Sequence, residues 1–428
     1  MKIFQTNDQC NQLNKIISRS NLPTENVENI VKEIIKDVRE NGDFAVSNYT
    51  KRFDGAEISN FEVSEDEFLQ AFQETEQKVI EALLVAKENI ERFHIKQKLT
   101  GYKIEEPDQF IKQTVRPIET VGLYIPGGKA AYPSTVLMNA IPAVIAGVRE
   151  VVMITPPNKE GKINNSLLVA AKISGVNRVI KVGGAQGIAA LAYGTKQIPK
   201  VDKIVGPGNI YVATAKRLVS GKVGIDMIAG PTEVVIIADE TANPRFIAAD
   251  LMAQAEHDEM ASSIVLTNSS DLAKQIQNEI KILIDEQPRK DIIKSAFDQY
   301  GAIILTETMD DAINIVNKMA PEHVEVMTES SIELTDKIYH AGAIFIGDYT
   351  PESVGDYYAG TNHTLPTSGT ARFTSSLSVT DFQKKTSVVH FSKQALRKAK
   401  ETIGTLANEE GLFAHALSVS IRFEEENK

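Results

Sequence analysis

The chain has 428 residues and a formal net charge of −11, with 42% hydrophobic and 24% charged residues. This composition is typical of a globular protein with two or three domains, and the acidic balance disfavours nucleic acids and anionic membranes as partners. A single cysteine, Cys10, excludes an intrachain disulfide, and no apolar run approaches the ~20 residues of a membrane span. Because the N-terminus also lacks the apolar segment of a secretory signal, a cytoplasmic location is expected.

The first 95 residues are predicted to be mainly helical. Residues 1–25 combine a short polar opening with one helix, and the apolar spacing over 27–41 indicates a second helix. A short helix ends at Gly55, and residues 64–95 continue the helical pattern.

From residue 111 onward, short apolar strands alternate with helices. This alternation is typical of βαβ units and a parallel sheet, and it forms two blocks, 122–232 and 233–347. Residues 350–382 are rich in Gly, Thr, Ser and Tyr without clear periodicity, which is usual for a functional segment. A helix over about 393–408 precedes the C-terminus. The predicted strands are 151–155, 178–182, 203–205, 233–238, 262–267, 302–306, 324–328 and 343–347.

Four glycine-bearing turns follow predicted strands, at 124–128, 183–187, 206–209 and 229–232. Ligands of open parallel sheets bind outside the carboxyl ends of the strands, where glycine lets the backbone approach a phosphate. None of the four turns has the G-x-G-x-x-G spacing of a dinucleotide fingerprint. The turns therefore indicate either a nucleotide site or tight strand-to-helix connections.

A candidate metal site begins in the stretch 250–258, which is predicted to be helical. Gln254 and His257 are three residues apart, so a helix places their amide oxygen and imidazole nitrogen on one face. Asp356 in the irregular segment and His415 near the C-terminus add a carboxylate and a second imidazole. This mixed set suits zinc or another first-row divalent ion, although a solvated polar helix face is the alternative.

A candidate acid–base pair, Glu322 and His323, lies between a predicted helix end and a strand. A carboxylate beside an imidazole supplies two groups that burial can tune towards neutral pH. The alternative is an exposed polar turn. His363 is a further imidazole in the same irregular segment as Asp356.

Together these stretches resemble the histidinol dehydrogenase family over most of the chain. One departure is Thr232, where the family often has serine, so the hydroxyl is kept and a methyl group is added. The matching motifs include Gly42–Asp43, Arg52–Gly55, Gly122–Gly128, Ser134–Met138, Gly183–Gln186, Gly206–Asn209, Gln254–His257, Ala320–His323, Gly355–Asp356, Gly360–Pro366 and Glu410–Leu412.

The resemblance implies a NAD-dependent, four-electron oxidation of L-histidinol through L-histidinal to L-histidine, the last steps of histidine biosynthesis. It implies that Glu322 and His323 are catalytic and that a zinc ion orients the substrate. The implied zinc ligands are Gln254, His257, Asp356 and His415. The implied NAD contacts are Tyr124, Gln186 and Asn209. The implied substrate contacts are Thr232, Gln254, His257, His323, Asp356, His363, Glu410 and His415.

The implied fold class is α/β, with two incomplete Rossmann-like parallel-sheet domains and small helical N-terminal and C-terminal extensions. Residues 1–25 form the N-terminal helical extension, and the helical part 26–121 packs with 233–382 as the first α/β domain. Residues 122–232 form the second, Rossmann-like domain. The tail, 383–428, is expected to reach the partner subunit of a homodimer with shared active sites.

Two other functions are compatible with the residues alone. One is a zinc-dependent hydrolase in which Glu322 activates a metal-bound water and no nucleotide takes part. The other is a metal-dependent nucleotide-binding module without turnover. Formation of NADH from NAD with histidinol separates both from the dehydrogenase.

Overall fold

The computed structural model describes residues 1–5, 16, 25–127 and 131–427. Most of the helical extension expected at 1–25 and the last glycine of the 124–128 turn therefore lie outside the described residues. The chain forms two compact units, which are Met1–Gln97 with Ile118–Phe382, and Lys98–Pro117 with Gln383–Lys428. Within the described residues, no helix is long and apolar enough to cross a membrane.

Strands and helices have the following bounds. The described strands are β1 (Lys2–Gln5), β2 (Tyr102–Glu106), β3 (Gln109–Pro117), β4 (Thr120–Tyr124), β5 (Glu150–Ile154), β6 (Arg178–Ile180), β7 (Lys203–Val205), β8 (Gly224–Ile225), β9 (Glu233–Ala238), β10 (Ser262–Thr267), β11 (Gly301–Leu305), β12 (His323–Met327), β13 (Ala343–Ile346) and β14 (Gln383–Phe391). The described helices are α1 (Glu25–Asn41), α2 (Asp43–Asp54), α3 (Glu65–Glu74), α4 (Gln77–His94), α5 (Pro133–Ala146), α6 (Asn165–Ser174), α7 (Gly184–Tyr193), α8 (Ile210–Val219), α9 (Pro244–Ala255), α10 (Ser270–Leu283), α11 (Lys290–Tyr300), α12 (Met309–Met319), α13 (Ser331–Thr335), α14 (Glu352–Tyr357), α15 (Lys393–Glu409) and α16 (Phe413–Ser420).

Sheet 1 lies in the first unit and is a parallel sheet with the strand order β6-β5-β4-β7-β8. The order reverses between β4 and β7, as in a doubly wound α/β fold. At such a reversal the flanking loops separate and leave a crevice at the carboxyl ends of the two strands. The parallel α/β fold predicted from the alternating pattern is confirmed.

Helices cover both faces of sheet 1. Neighbouring residues of β5 point to opposite faces, so Met153 belongs to the core beneath α3–α6 and Ile154 to the core beneath α1, α2, α7 and α8. From sequence, residues 26–121 are expected to pack with 233–382. In the described core α1–α4 pack on sheet 1, and α4 also contacts the segment 360–382, where Asn362 Nδ2 lies 3.3 Å from His94 Nε2. The N-terminal helices therefore help to build the cavity above this sheet.

Sheet 2 lies in the same unit, with the order β1-β11-β10-β9-β12-β13 and parallel pairing throughout. Val235 and Ile236 of the central strand β9 lie in separate cores on its two faces. The helices α9, α10 and α11 cover one face, and α12 covers the other. The edge strand β1 falls in a segment where the sequence predicts only a polar opening and a helix.

The second unit contains the antiparallel sheet β14-β3-β2, followed by α15 and α16. The helix expected at about 393–408 is present as α15. The three strands are not predicted; all of β2 and nearly all of β14 are exposed, so no buried apolar run marks them in the sequence. The buried apolar residues of this unit are few, namely Ala395, Ala407, Val419 and Phe423.

A buried ion pair braces the glycine turn that follows β7. Lys216 Nζ donates to the Gly206 carbonyl at 2.8 Å, and Asp226 Oδ2 accepts from the Gly206 amide at 2.7 Å. Lys216 and Asp226 also contact each other, with side chains only 3% and 1% exposed. Gly206 has φ +115°, and a Cβ there would lie 2.1 Å from the Tyr124 carbonyl oxygen. The turn therefore requires glycine at position 206, and hydrogen bonds from Lys216 and to Asp226 hold the carbonyl and the amide of this residue.

We expect Asp226→Asn to lower the free energy of unfolding by about 3 kcal/mol, because it leaves the Lys216 ammonium buried without its counter-charge. Urea unfolding followed by circular dichroism measures this loss. Lys172→Met is the matched control, since Lys172 pairs with Glu65 at the surface, where both side chains are at least 47% exposed. That exposed pair is worth at most ~1 kcal/mol. Equal losses in the two variants would contradict the bracing role.

Candidate active site

A cavity of about 290 Å³ lies between the two parallel sheets of the first unit. Pro126 and Pro207, which follow the carboxyl ends of β4 and β7, line one side. Thr232 and His323, at the amino ends of β9 and β12, line the other. The remaining lining residues come mainly from the start of α5, the end of α9 and the helix α14. The cavity thus lies between the carboxyl ends of the sheet 1 strands, where open parallel sheets bind ligands, and the amino ends of the sheet 2 strands.

Glu322 and His323 are placed by a sharp turn between α12 and β12. The helix ends at Met319, Ala320 adopts φ +51°, and Pro321 cannot continue the helix. Both reactive side chains are buried, with residue exposures of 7% and 3%. The alternative interpretation of these two residues, an exposed polar turn, is therefore wrong.

The ring of His323 is oriented by the main chain of β9. Its Nδ1 lies 3.2 Å from the Glu233 carbonyl oxygen, which can only accept a hydrogen bond, so Nδ1 carries the proton. Nε2 is then the basic nitrogen, and this buried atom has no hydrogen-bond partner among the described residues. Burial lowers the pKa of His323 to about 4, which keeps the ring neutral near pH 7. His323 is therefore arranged to accept a proton through Nε2.

Glu322 is held by two donors on the same oxygen. Oε2 accepts from Thr232 Oγ1 at 2.5 Å and from the Glu233 amide at 3.0 Å. Burial nevertheless raises the pKa of Glu322 to about 8, with the neighbouring Glu233 and Asp356 charges adding to the rise. This carboxyl group can exchange a proton near neutral pH, as an acid–base residue must.

The two residues at the end of α9 do not share a helix face as predicted. The helix ends at Ala255, and His257 lies in the turn that follows, exposed and lining the cavity. Gln254 is fully buried, and its amide contacts the Thr232 hydroxyl. With its oxygen turned towards the Glu233 amide at 3.3 Å, its nitrogen donates to the Glu352 carboxylate.

Glu352 belongs to this site although the sequence analysis does not single it out. Its Oε1 lies 3.6 Å from His323 Nε2 and 3.0 Å from the Gln254 amide nitrogen. Burial, then the charges of Asp356 and Glu322, raise its pKa well above the usual value. The sequence feature that could have identified Glu352 is its spacing from Asp356, because residues four apart share a face of α14.

The cavity contains a donor set that fits a divalent cation. Ligand atoms of His323, Glu352 and Asp356 all lie within 4.8 Å of one another. Burial, and then the charges of neighbouring carboxylates, raise the pKa values of Glu322 and Glu352, and a bound cation would offset both effects. Carboxylate, imidazole and amide donors suit zinc and other first-row divalent ions. The residues present therefore fit a metal.

The predicted zinc ligands overlap only partly with this cluster. Asp356 belongs to both the predicted ligand set and this cluster, and His257 lines the same cavity. The amide of Gln254 contacts Thr232, which lines the cavity. His415 lies in the second unit, where it is exposed. The predicted ligand set thus comprises three residues near the cavity and one residue of the other unit.

The remaining predicted substrate contacts divide in the same way. His363 lines the cavity, with Nε2 3.2 Å from Thr135 Oγ1 and Nδ1 3.8 Å from Asp356 Oδ1. Burial lowers the pKa of His363, so its ring is neutral near pH 7. Glu410 lies in the second unit and is exposed.

The three predicted NAD contacts line a second cavity of about 560 Å³. Tyr124 ends β4, and its buried hydroxyl accepts from the Gly184 amide at 3.3 Å. Gln186 is 1% exposed, and neither of its amide atoms has a hydrogen-bond partner among the described residues. Asn209 caps α8 and lines both cavities, so the two adjoin there. This second cavity lies at the β4–β7 reversal, where doubly wound folds bind nucleotides.

Comparison with known proteins agrees with this arrangement. A model of the histidinol dehydrogenase family matches residues 17–423. Curated histidinol dehydrogenases of Bacillus cereus and Halalkalibacterium halodurans are 51% and 49% identical to the chain, with 95% and 100% of both sequences covered. The crystal structure of histidinol dehydrogenase from Elizabethkingia anophelis has a TM-score of 0.94 at 39% identity, covering 100% of this chain and 99% of that one. The chain therefore belongs to the histidinol dehydrogenase family, enzymes that oxidise histidinol in histidine biosynthesis.

Proposed function

We propose that the protein oxidises L-histidinol to L-histidine in two NAD-dependent steps through L-histidinal, with one zinc ion per subunit orienting the substrate. The observation that carries this proposal is the meeting of two cavities at Asn209. One cavity presents a neutral histidine and a titratable glutamate, and the other lies at the nucleotide-binding edge of sheet 1. An alcohol held at their junction can lose the proton of its hydroxyl group to one side and the hydride of its carbon to the other.

The metal would be held by Gln254, His257 and Asp356 with the partner's His415, and Glu352 would lie against the ligand amide. When bound, zinc supplies a Lewis acid that anchors nitrogen donors of histidinol and fixes its carbinol carbon. NAD supplies the hydride acceptor for both oxidations.

His323 is the base of the first oxidation in this proposal. Nδ1–H is committed to the Glu233 carbonyl, so Nε2 takes the proton of the substrate hydroxyl as the hydride leaves the same carbon. The low pKa of His323 ensures that Nε2 is unprotonated before each turnover. Thr232 and His363 line the same cavity and would position the substrate.

Glu322 activates water in the second oxidation. The described hydrogen bonds of its carboxylate are made by Oε2, so we assign Oε1 to a water molecule beside the aldehyde. Oε1 removes a proton from that water as it attacks the aldehyde carbon, and His323, protonated in the first oxidation, returns its proton to the aldehyde oxygen, so that a hydrate forms. His323 then takes a proton from the hydrate as the second hydride leaves.

A homodimer with shared active sites completes the proposal. Around His415, Leu412, Phe413 and Leu417 are 44–68% exposed, which is a large apolar surface for so short a segment. A groove of about 570 Å³ in the first unit has mainly apolar walls, and His257 and Asp356 are among its lining residues. The tail of a second copy is complementary to that groove, because Lys78 and Arg289 also line the groove and can form ion pairs with carboxylates of the tail.

We also propose a cytoplasmic location for this enzyme. The support is the single cysteine of the chain, which suits a reducing compartment.

The acid–base assignment predicts different defects for the two half-reactions. His323→Ala should lower kcat for histidinol oxidation by ~10²–10⁴, the usual contribution of a positioned base, while metal binding persists. Glu322→Gln should impair histidinal oxidation more than histidinol oxidation. His390→Ala, which removes an exposed histidine of β14, is the control. Stopped-flow NADH formation from each substrate measures both effects, and wild-type rates in either reactive-site variant would refute its assignment.

The pKa of Glu322, about 8, predicts the pH dependence of histidinal oxidation. Only the ionised carboxylate can take a proton from water, so the rate should rise with pH through an apparent pKa near 8. Glu322→Gln should remove this rise. A wild-type rate that stays constant from about pH 6 to 9 would contradict the role of Glu322 as the base.

Shared active sites predict complementation between two inactive variants. His257→Ala and His415→Ala homodimers should each be nearly inactive. After subunit exchange, a heterodimer has one site with both substitutions and one site with neither, so about half of the wild-type activity per dimer should return. Native mass spectrometry verifies the exchange. If verified heterodimers remain inactive, His415 does not serve the partner's site.

A further inference from the structure

Two acids close to the reaction site, Glu325 and Asp250, are not used by the proposed reaction. Glu325 lies in the middle of β12 and is 1% exposed, and Asp250 is a half-buried residue of α9. A hydrogen bond joins their side chains, and the groups that act on their pKa values include no described lysine or arginine. Because two ionised carboxylates cannot hydrogen-bond to each other, one of the two acids carries a proton.

Burial allows the pair to keep this proton. It raises the pKa of both acids, and the charge of Asp250 raises the pKa of Glu325 further. A neutral acid beside an ionised one can donate a hydrogen bond to it, so the two side chains attract each other. The pair therefore acts as a link between β12 and α9.

Glu325 also holds the amino end of α14. Its Oε1 accepts a hydrogen bond from the main-chain amide of Glu352, the first residue of that helix, at 2.9 Å. The residue before the helix is Pro351, whose side chain makes no capping hydrogen bond. Glu325 therefore supplies, from β12, the acceptor that a capping side chain usually offers. Its Oε2 is buried with no N–H or O–H donor among the described residues, which leaves this oxygen for the proton shared with Asp250.

The three elements that these hydrogen bonds join all carry residues of the reaction site. On α9, Asp250 precedes the proposed metal ligand Gln254 by one helical turn and shares its face. On α14, the first residue likewise precedes the proposed ligand Asp356 by one turn. On β12, Glu325 is two residues from His323 and points to the same face. A shift of either acid would therefore change the distances between the metal ligands and the base.

We propose that Glu325 and Asp250 are positioning residues whose hydrogen-bonded pair fastens the amino end of α14 to α9 and so holds Asp356 at the distance from Gln254 that metal binding requires. This inference rests on the proposed zinc site, because Gln254 and Asp356 are two of its proposed ligands. Side chains that orient metal ligands without touching the metal contribute about 10–100-fold to metal affinity. The pair acts through hydrogen bonds, so an amide should replace one acid without loss.

The zinc affinity of the full-length protein, measured by competition with a chromogenic chelator, tests this role without turnover. Glu325→Leu keeps a similar side-chain size and removes both hydrogen bonds, so zinc affinity should fall by at least about tenfold. Glu325→Gln should stay within about twofold of wild type, because its amide oxygen can accept from the Glu352 amide and its amide nitrogen can donate to the Asp250 carboxylate. Wild-type affinity in Glu325→Leu, or an equal loss in Glu325→Gln, would overturn the proposal.

Ser263→Ala is the matched control on the same helix. Ser263 is 1% exposed, and its Oγ donates to the Leu251 carbonyl of α9 at 3.0 Å. The substitution removes a buried hydrogen bond between α9 and a strand of sheet 2 while leaving the acid pair unchanged. Zinc affinity should therefore stay within about twofold of wild type. A loss as large as that of Glu325→Leu would mean that any weakening of α9 lowers zinc affinity, and the specific role of the pair would be overturned.

Substitution of Asp250 tests the other half of the pair and serves as the test if Glu325→Leu does not fold. Asp250→Ala should weaken zinc binding about threefold or more, the effect of one lost hydrogen bond, and Asp250→Asn, whose amide can donate to Glu325, should bind zinc like wild type. Wild-type zinc affinity in Asp250→Ala, with a native circular dichroism spectrum, would overturn the proposal and leave the zinc site intact. If the wild type binds no zinc, the metal role in the proposed function fails, and the role of the pair fails with it.

Discussion

The backbone of Glu233 orients both reactive side chains of this enzyme. Its carbonyl accepts from His323 Nδ1 at 3.2 Å, and its amide donates to Glu322 Oε2 at 3.0 Å. Glu233 begins β9, the central strand of sheet 2, and β9 pairs with β12 so that His323 lies opposite Val234. The register of one pair of parallel strands therefore fixes the tautomer of the histidine and the position of the carboxylate.

The two sheets contribute opposite edges to the reaction site. Sheet 1 offers the carboxyl ends of β4 and β7, the usual place for a nucleotide, and a clamped glycine turn that ends at Asn209. Sheet 2 offers its amino ends, where the main-chain amide and carbonyl of Glu233 hold the two reactive side chains.

Periodicity predicted the parallel α/β fold well, because strands buried on both faces are continuously apolar and leave a clear pattern. It could not predict the antiparallel sheet of the second unit, since β2 and β14 bury almost nothing. The sequence also could not predict that α9 ends at Ala255, because no Gly or Pro marks the end of this helix. Glu352 was missed because its neighbours gather only through the tertiary fold; its spacing to Asp356 was the one local sign.

We propose that one protein performs both oxidations of histidinol. It is tested most directly by incubating the purified, metal-loaded protein with limiting L-histidinol and excess NAD, and measuring NADH by absorbance and histidine by chromatography. We expect two NADH for each histidine formed, without accumulation of free histidinal, and loss of both products after metal removal. One NADH per histidinol consumed with histidinal as the product, or conversion of histidinol without NADH, would contradict it.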